Sequence, residues 1–398
     1  MARVLYFTYD GLLDPLGQSQ VIPYLSVVAS AGNLLTVISY EKEQRSKEQI
    51  ECLEKQLAQM GIRWKRLIFR PGKIWAIARL FSGIGLIRRL CRQDRPHFVH
   101  LRGFVPTVIY KLSFIKRPYL YDFRGFALGE WVDIGKVTEG RLFHYILNLV
   151  DQSAIKNASG LVVLERSAKR LLREIYPVPD VPFKVIRTCT DVTRYRVRDQ
   201  LSAQANDRSL RFVFLGGARN PYRVDLALLL INGMLKKGLD CHLDFINEGD
   251  HLEINKAIDF SGLSSDRVRV LVCDQGEIPE ALTFYDCGII MIETSQWRKV
   301  CSPTKLGEYL AAGLPVISLE GIDVTDELSQ RTGCVKNLSQ SELEIGFSQE
   351  QVNKILDLIR RRGVAHKCQL LAREEFCMEK AGALYVELYA EIEKRTAE

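Results

Sequence analysis

The chain has 398 residues, of which 47% are apolar and 26% are charged, a composition typical of a globular protein. It excludes collagen, coiled-coil and low-complexity proteins, and the length predicts about two to three domains. The net charge of +7 is unevenly divided: residues 1–200 carry 32 Lys and Arg against 18 Asp and Glu, and the remainder carries 23 against 30.

The cysteines and the first residues indicate a cellular compartment. Ten cysteines are scattered without a C-x-x-C pair or a histidine at zinc-like spacing, which favours a reducing cytoplasm and no metal site. Residues 1–8 lack the apolar length of a signal peptide. Polar residues interrupt the uncharged stretch 15–40, which is therefore a poor membrane span. We expect a cytoplasmic protein without a transmembrane helix.

In chain order, the first half alternates apolar β-rich runs with helical patterns. Strands are predicted at 4–8, 34–40, 97–101, 119–123 and 160–164, and a helix at 141–157. This alternation is typical of a parallel sheet wrapped by helices. His100 ends one strand and is interpreted as a core histidine in preference to a catalyst.

An acid-free run between Lys55 and Asp94 separates two of these strands. Its basic residues include Arg79, Arg88, Arg89 and Arg92, and apolar residues stand among them at helix-like spacing: Ile74, Ile77, Ala78, Phe81, Ile84 and Ile87. We expect Gly83 and Gly85 to divide this segment into two short helices. A solvated face, nucleic acid and an anionic membrane surface are the alternatives, and the lack of a nucleic-acid-binding motif favours the membrane.

A polar stretch follows and predicts a linker at 196–209. A second α/β series then has predicted strands at 211–215, 242–246, 268–272, 288–292 and 314–318, and a helical pattern at 350–394. Asp240 and Asp244 are interpreted as marking the start of a strand and not a metal site. We predict an α/β protein with two Rossmann-like parallel-sheet domains facing across a cleft. Their limits are 1–195 and 210–375, with a C-terminal helix at 376–398 that crosses back to the first domain.

The segment 302–317, SPTKLGEYLAAGLPVI, carries the most chemical information. Ser302 suits an N-cap, Pro303 the first helical position and Gly313 the position past the end, which predicts a helix at about 303–312. Its free N–H groups and Lys305 favour an anion such as phosphate. Glu308, one turn on beside Thr304, suits a sugar diol such as ribose. The alternative is a capped helix with an ordinary Lys–Glu pair.

A second strand-to-helix junction lies at 214–223. Gly216 and Gly217 permit close backbone approach, and Asn220 with Pro221 predicts a helix start. Arg219 and Arg223 flank this start and suit a bidentate diphosphate clamp. A simple tight turn is the alternative.

Nearly the whole chain resembles the nucleotide-sugar-dependent glycosyltransferases of the family-4 type, which have the two-lobed GT-B fold. The resemblance rests on TYDG at 8–11, GQSQ at 17–20, HLR at 100–102, DFRG at 122–125 with Glu130, Gly216–Gly217 with Tyr222–Arg223 and, most specifically, 302–317. It implies that Glu308 is the second glutamate of the family's signature and holds the donor ribose. The first glutamate is replaced by Val300.

The resemblance also implies the remaining site residues. Donor-binding residues are expected at Gly216, Gly217, Arg219, Tyr222, Arg223, Ser302, Thr304, Lys305 and Glu308. Acceptor-binding residues are expected at Gly17, Gln18, Ser19, Arg102 and Glu130. Arg124 stands where many relatives place a histidine facing the donor sugar, and Arg124 and Lys305 are the expected catalytic residues.

The predicted reaction is transfer of a sugar from a nucleoside-diphosphate sugar such as a UDP-sugar to a hydroxyl acceptor, with retention and without a metal or cofactor. A lipid-linked acceptor at an anionic membrane, in bacterial surface polysaccharide or glycolipid synthesis, is the expected setting, and no nucleic acid is expected as a partner. The alternatives are a nucleotide-sugar epimerase or hydrolase and a non-catalytic membrane-surface scaffold. No G-x-G-x-x-G follows either first strand, which argues against a dehydrogenase. The catalytic base and the oligomeric state stay open.

Overall fold

The computed structural model describes residues 1–197 and 209–397. They divide into two compact units: unit 1 contains residues 1–187 and those from 378 onward, and unit 2 contains residues 188–377. Most of the predicted linker, residues 198–208, lies outside the described residues, and the domain limits given above remain predictions.

Unit 1 is built on a seven-stranded, all-parallel sheet in the order β3-β2-β1-β4-β5-β6-β7. Its strands are β1 Arg3–Thr8, β2 Leu34–Lys42, β3 Ile62–Phe69, β4 Phe98–Arg102, β5 Tyr119–Phe123, β6 Gly160–Val163 and β7 Phe183–Val185. The helices between them are α1 Pro15–Gln20, α2 Ile22–Ser30, α3 Lys47–Gln59, α4 Lys73–Gln93, α5 Phe104–Leu112, α6 Ala127–Asp133, α7 Leu142–Lys156 and α8 Arg166–Ile175. The order of strands reverses between β1 and β4, which makes their carboxyl ends the expected ligand edge.

Unit 2 repeats this design with six parallel strands in the order β10-β9-β8-β11-β12-β13. They are β8 Leu210–Leu215, β9 Cys241–Ile246, β10 Val268–Leu271, β11 Cys287–Ile290, β12 Val316–Leu319 and β13 Val335–Leu338. The helices are α9 Val224–Lys236, α10 His251–Ser261, α11 Ile278–Ala281, α12 Thr304–Ala311, α13 Asp323–Arg331, α14 Gln340–Ile345, α15 Gln349–Arg360 and α16 Val364–Glu375. Two apolar clusters cover the sheet, and its reversal lies between β8 and β11.

The last helix, α17 Met378–Ala397, belongs to unit 1, where it packs on α2. The Cβ that an alanine would place at Gly382 meets the side chain of Val27 at 2.6 Å. The close contact between the two helices therefore requires a glycine. The predicted return of the C-terminal helix to the first domain is confirmed.

The prediction of two parallel α/β domains is also confirmed, as is the helical pattern at 350–394, but the predicted division of α4 was wrong and one strand was not predicted. The helical stretch 350–394 is three helices, α15 to α17, with breaks at 361–363 and 376–377, and Gly363 adopts a left-handed conformation with φ 76°. Helix α4 continues through Gly83 and Gly85 as one helix of 21 residues. Strand β3 was missed: its buried Ile62 and Trp64 alternate with basic residues at a sheet edge. None of the described helices has the length and apolar content that crossing a bilayer requires.

Candidate functional site

Helix α12 begins at the reversal point of the unit 2 sheet. The hydroxyl of Tyr309 accepts a hydrogen bond from the backbone N–H of Leu215 at 2.7 Å, which fixes the helix to the end of β8. A Cβ at Gly288 of β11 would overlap the Tyr309 ring, so glycine permits the close approach. The first turn of α12 therefore stands at the carboxyl ends of β8 and β11.

The predicted cap of this helix was wrong in detail. Helix α12 starts at Thr304 with Pro303 as its N-cap, and no side chain among the described residues caps it. The Ser302 hydroxyl instead lies 2.9 Å from that of Thr188, which also donates to the Ser302 carbonyl at 2.7 Å. The end was predicted correctly, with Gly313 at φ 79°. The uncapped first turn leaves backbone donors for an anion.

Lys305, Glu308 and Gly216 come together at this first turn. Lys305 Nζ lies 3.3 Å from Glu308 Oε2, and Glu308 is 1% exposed. A Cβ at Gly216 would lie 3.2 Å from Lys305 Cε, and Gly216 has φ 109°. Lys305 therefore extends over the glycine loop that follows β8, so the lysine of one βα junction meets the backbone of the other.

The glycine loop is held by residues that sequence reasoning missed. Asn247 Nδ2 donates to the Gly216 carbonyl at 2.6 Å, and Asp250 Oδ2 accepts from the Ala218 N–H at 2.9 Å. Both residues follow β9, the neighbouring strand. Their only sequence signal is a run of polar residues after a buried strand, which by itself does not indicate a partner.

The segment after the loop corrects a second helix start. Helix α9 begins at Val224, with Arg223 as N-cap, and not at Pro221. Residues 221–223 pair with the stretch after β11 instead: the Arg223 N–H donates to the Met291 carbonyl at 2.9 Å, and the Glu293 N–H donates to the Pro221 carbonyl at 2.8 Å. Tertiary pairing outweighs the local helix-start signal.

The two arginines of this segment bind carboxylates of their own unit. Arg219 lies 3.0 Å from Asp250 and 2.8 Å from Glu253. Arg223 lies 2.6 Å from Asp225. A diphosphate clamp would therefore require both guanidinium groups to exchange these partners.

Tyr222 packs against Gly217. A Cβ at Gly217 would lie 3.2 Å from the Tyr222 ring. Tyr222 also forms an antiparallel bridge with Ile292. The contacts that the structure gives Tyr222 are thus packing contacts within unit 2.

In unit 1, the carboxyl ends of β4 and β5 hold a buried polar cluster around Asp122. The fully buried carboxylate of Asp122 lies 3.6 Å from Arg102, 3.5 Å from Arg124 and 3.4 Å from His100. It also accepts a hydrogen bond from the Tyr385 hydroxyl of α17 at 2.9 Å. The cluster thus joins α17 to the sheet.

The pKa values of the Asp122 cluster follow from burial and charge together. Burial opposes ionisation of Asp122, but Arg124, the hydrogen bond with His100 and Arg102 outweigh it and hold the pKa of Asp122 below its ordinary value. Burial lowers the pKa of His100 despite Asp122. The other ring nitrogen of His100 lies 2.6 Å from the Tyr389 hydroxyl. These contacts favour the structural interpretation of His100.

The predicted acceptor residues lie on the same edge of unit 1, where the structure separates them into three groups. Arg102 belongs to the Asp122 cluster and contacts Asp10 at 3.3 Å. Glu130 lies in the first turn of α6, and a Cβ at Gly125 would lie 2.9 Å from its Oε1.

The third group, Gly17, Gln18 and Ser19, lies in the short helix α1 that follows β1. Gly17 packs so closely on the backbone of residues 11 and 12 that a Cβ would overlap it. Gln18 Nε2 donates to the Leu12 carbonyl at 2.6 Å, and Ser19 Oγ donates to the Pro15 carbonyl at 2.8 Å. Glu41, buried under this loop, accepts from the Leu12 N–H at 2.6 Å. The missed residue Glu41 therefore fixes the loop between β1 and α1, on which Gly17 packs.

The overall fold is shared with solved glycosyltransferase structures. Sucrose-phosphate synthase from Thermosynechococcus elongatus matches with a TM-score of 0.74 and 12% identity over 99% of this chain and 100% of that one. HepE from Anabaena, in complex with UDP and glucose, matches with a TM-score of 0.66 and 14% identity over 98% and 100%. The fold is GT-B. No protein-family model and no curated protein sequence matches the chain.

The GT-B fold is also shared by a candidate UDP-N-acetylglucosamine 2-epimerase from Listeria monocytogenes, with a TM-score of 0.59 and 13% identity over 100% of this chain and 98% of that one. Two further observations concern the candidate site of this chain. Val300, where the resemblance predicts a first glutamate, is buried at 1% exposure. Within residues 1–197 and 209–397, no group of three or more His, Cys, Asp or Glu side chains is arranged to hold a metal ion.

Proposed function

We propose that this chain is a glycosyltransferase that moves a sugar from a nucleoside-diphosphate sugar to a hydroxyl acceptor. One observation carries the proposal: the first turn of α12 brings Lys305 over the Gly216 loop and beside the buried Glu308. The backbone N–H groups of this turn and the charge of Lys305 suit a diphosphate, and Gly216 permits its close approach to the backbone. The Glu308 carboxylate suits the hydroxyls of the attached ribose.

In the proposed reaction, the bond between the anomeric carbon and the diphosphate oxygen breaks, and the electron pair stays on the diphosphate. The acceptor oxygen forms the new bond to the anomeric carbon, and its proton passes to the leaving phosphate. Lys305 and the first-turn N–H groups of α12 stabilise the growing negative charge. We propose retention of configuration, a reaction without a metal, and Arg124 of unit 1 as the residue that faces the donor sugar.

Replacing Lys305 tests the leaving-group role. Lys305→Met should lower turnover at saturating donor by a factor on the order of 100, because a charge aimed at the transition state acts on kcat. Lys236→Met, which removes an exposed lysine from the last turn of α9, is the matched control and should retain activity. Equal turnover of the Lys305 variant and wild type would remove Lys305 from the mechanism.

Arg124 is tested separately, because it lies in unit 1. Arg124→Ala should lower sugar transfer more than it lowers nucleotide affinity, since the proposed contact is with the sugar and not with the base. Calorimetry with the nucleotide and a transfer assay measure the two effects. A loss confined to nucleotide binding would contradict the assignment.

The donor is proposed to be a UDP-sugar, and the acceptor a lipid-linked intermediate of bacterial surface polysaccharide or glycolipid synthesis, used at the cytoplasmic face of a membrane. The complex of HepE with UDP and glucose supports a UDP donor. A thermal-shift screen of UDP- and GDP-sugars, followed by product analysis with hydroxyl acceptors, tests this. Stabilisation by GDP-sugars alone would show that the donor is a GDP-sugar and not a UDP-sugar.

A nucleotide-sugar epimerase is the second candidate function, favoured by the similarity to the Listeria protein. It would use the same donor site without a glycosyl acceptor. Incubating the preferred nucleotide sugar alone separates the two functions: an epimerised nucleotide sugar supports this candidate, whereas an acceptor-dependent product supports the transferase. Nucleotide binding without either product would support a non-catalytic scaffold, for which the buried Val300 is the argument.

A further inference from the structure

A cavity of about 730 Å³ opens at the amino edge of the unit 1 sheet, away from the predicted acceptor residues. It lies between the end of α4, the loop from α4 to β4 and the loop from α5 to β5. We call it the cationic pocket, after the five basic residues in its lining: Arg88, Arg92, Arg95, Lys116 and Arg117.

The cationic pocket is separate from the ligand edge described above. Arg95 precedes β4, and Arg102 of the Asp122 cluster ends this strand. A five-residue strand spans about 13 Å, so the pocket and the cluster lie at opposite ends of β4. The pocket shares no residue with the proposed donor site either: Lys305, Glu308 and Gly216 belong to unit 2, and Arg124 follows the carboxyl end of β5.

The charge of the cationic pocket is not balanced within the protein. In the part of the chain that the structure describes, none of the five basic residues forms an ion pair with a carboxylate, and the nearby Asp94 is paired with Arg63. Two helices, α4 and α5, end at the pocket, and their C-termini together offset about one positive charge. One carbonyl at the C-terminus of α5, that of Ser113, accepts a hydrogen bond from Arg88 Nε at 2.8 Å. A surplus of several positive charges remains.

The backbone of the pocket is also unusual. Among the described residues, Arg95 with φ 44° and Phe114 with φ 54° are the non-glycine residues in the left-handed region, and both line this cavity. Both residues directly follow a helix C-cap, Asp94 of α4 and Ser113 of α5, a position where a left-handed residue is usually glycine. Phe114 is also 79% exposed. Two strained loops thus hold charged and aromatic side chains around one opening.

We propose that the cationic pocket binds a multiply charged, phosphate-bearing anion, at a site distinct from the donor site. Arginine side chains bind phosphate oxygens in bidentate geometry, and the cavity is within the size range of small-molecule sites. Such an anion has two sources: a soluble phosphorylated compound or the phosphorylated headgroup of a membrane lipid.

Titration calorimetry with inorganic pyrophosphate on the full chain tests the proposal. Arg92→Ser combined with Arg117→Ser removes two exposed charges and should weaken one binding event by about tenfold or more, because charge-assisted hydrogen bonds are lost. Arg166→Ser with Arg170→Ser removes two exposed arginines of α8 as the matched control and should leave that event unchanged.

Lys305→Met separates this site from the proposed donor site, which also suits pyrophosphate. If Lys305→Met retains the binding event that the Arg92/Arg117 variant loses, the cationic pocket is supported, whatever happens to the donor assignment. Equal pyrophosphate binding by the Arg92/Arg117 variant and wild type would overturn the proposal, as would an equal loss in the α8 control.

Co-sedimentation with vesicles then identifies the source of the anion. If the Arg92/Arg117 variant also loses binding to phosphatidylglycerol vesicles, the phosphate of a lipid headgroup occupies the pocket. If vesicle binding is unchanged while pyrophosphate binding is lost, the occupant is a soluble phosphorylated compound. Wild-type protein that binds neither would refute an anion site here.

Discussion

Glu308 combines a buried position with a binding role in the proposed donor site. Its carboxylate is held by Lys305 at 3.3 Å in the first turn of α12. Glutamine has the same shape and still accepts a hydrogen bond from Lys305, so the substitution Glu308→Gln removes charge without opening a cavity. The effect of this change on ligand binding can therefore be measured in a folded protein.

Glu308→Gln should weaken binding of the preferred nucleoside diphosphate by about 1 to 3 kcal/mol, because charge-assisted hydrogen bonds to ribose become neutral ones. Calorimetry with UDP and GDP measures the loss. Glu280→Gln, which changes an exposed carboxylate at α11, serves as the control. Unchanged affinity in folded Glu308→Gln protein would refute the ribose assignment.

Asp151 is a second buried carboxylate, and its contribution to the free energy of unfolding depends on pH. Tyr121 donates to Oδ1 at 2.8 Å and the Tyr176 hydroxyl lies 3.4 Å from Oδ2. Burial raises the pKa of Asp151 to about 6, although both tyrosine hydrogen bonds act in the opposite direction. The folded protein therefore holds a proton that the unfolded chain, with a pKa of about 3.9, releases earlier.

The sign of the effect follows from this difference in pKa. The stabilising contribution of protonated Asp151 is fully present below about pH 4 and is lost as pH rises through about 6. Relative to Asp151→Asn, wild-type protein should lose on the order of 2 to 3 kcal/mol between pH 4 and pH 8. Urea unfolding of both proteins across this range measures the difference. Parallel stability curves for the two proteins would contradict the raised pKa.

At the scale of the element, helix α4 shows how two glycines in one helix can differ. A Cβ at Gly83 would lie 2.5 Å from the Tyr40 hydroxyl and 3.0 Å from Ile109, whereas a Cβ at Gly85 would meet nothing within 4 Å. Gly83 is therefore required by packing against the sheet and α5. Gly85 faces open space.

Gly85→Ala should stabilise the protein by up to about 1 kcal/mol, because alanine favours the helix over the unfolded chain. Gly83→Ala should instead destabilise it by about 1 to 3 kcal/mol through overpacking. Thermal or urea unfolding measures the stability of the two variants, which carry the same substitution at two positions of one helix. Equal effects at both positions would contradict the observed packing of α4.

The same helix shows what the sequence can and cannot predict. Local propensity correctly identifies Gly83 and Gly85 as unfavourable for a helix, but the contact with Tyr40 that retains Gly83 comes from a residue far along the chain. Strands buried on both faces were predictable, and β5 has the predicted bounds because Tyr119–Phe123 is a continuous buried run. An edge strand such as β3 carries charges on its exposed face, so it lacks the continuous apolar run that identifies a buried strand.

The same distinction between local patterns and long-range contacts applies to the candidate site. Gly216, Lys305 and Glu308 were identifiable because glycines, a lysine and a carboxylate at βα junctions have a direct chemical meaning. Asn247 and Asp250 were not, because they act through backbone hydrogen bonds to a loop that topology alone brings near. Asp250 and Glu253, the partners of Arg219, were missed for this reason too.

At the scale of the whole molecule, the basic character of the first half coincides with exposed apolar side chains. Ile74, Ile77 and Phe81 are exposed on the first turns of α4, while Ile87 of the same helix is buried. Arg79 lies over the ring of Phe69 at 4.7 Å. This face of α4 combines apolar and basic groups, as peripheral membrane helices do.

Unit 1 should therefore bind phosphatidylglycerol vesicles at low salt and release them at high salt, since each basic residue near the surface contributes about 1 kcal/mol that salt screens. Ile77→Ser with Phe81→Ser should weaken this co-sedimentation of the full chain. Leu252→Ser with Phe260→Ser, which removes side chains of α10 in unit 2 that are at least as exposed, should not. Equal binding to neutral and anionic vesicles would leave the basic run as a solvated face.

The return of α17 to unit 1 has a consequence for biosynthesis. Tyr385 and Tyr389, which contact Asp122 and His100, are made only after about 190 residues of unit 2 have been translated. At ribosomal rates this interval is on the order of 10 to 40 s. During it, the first 187 residues have been synthesised but cannot complete their polar cluster or cover α2. Unit 2 is contiguous and has all of its strands before α17 emerges, so the second half of this chain is free to finish folding before the first.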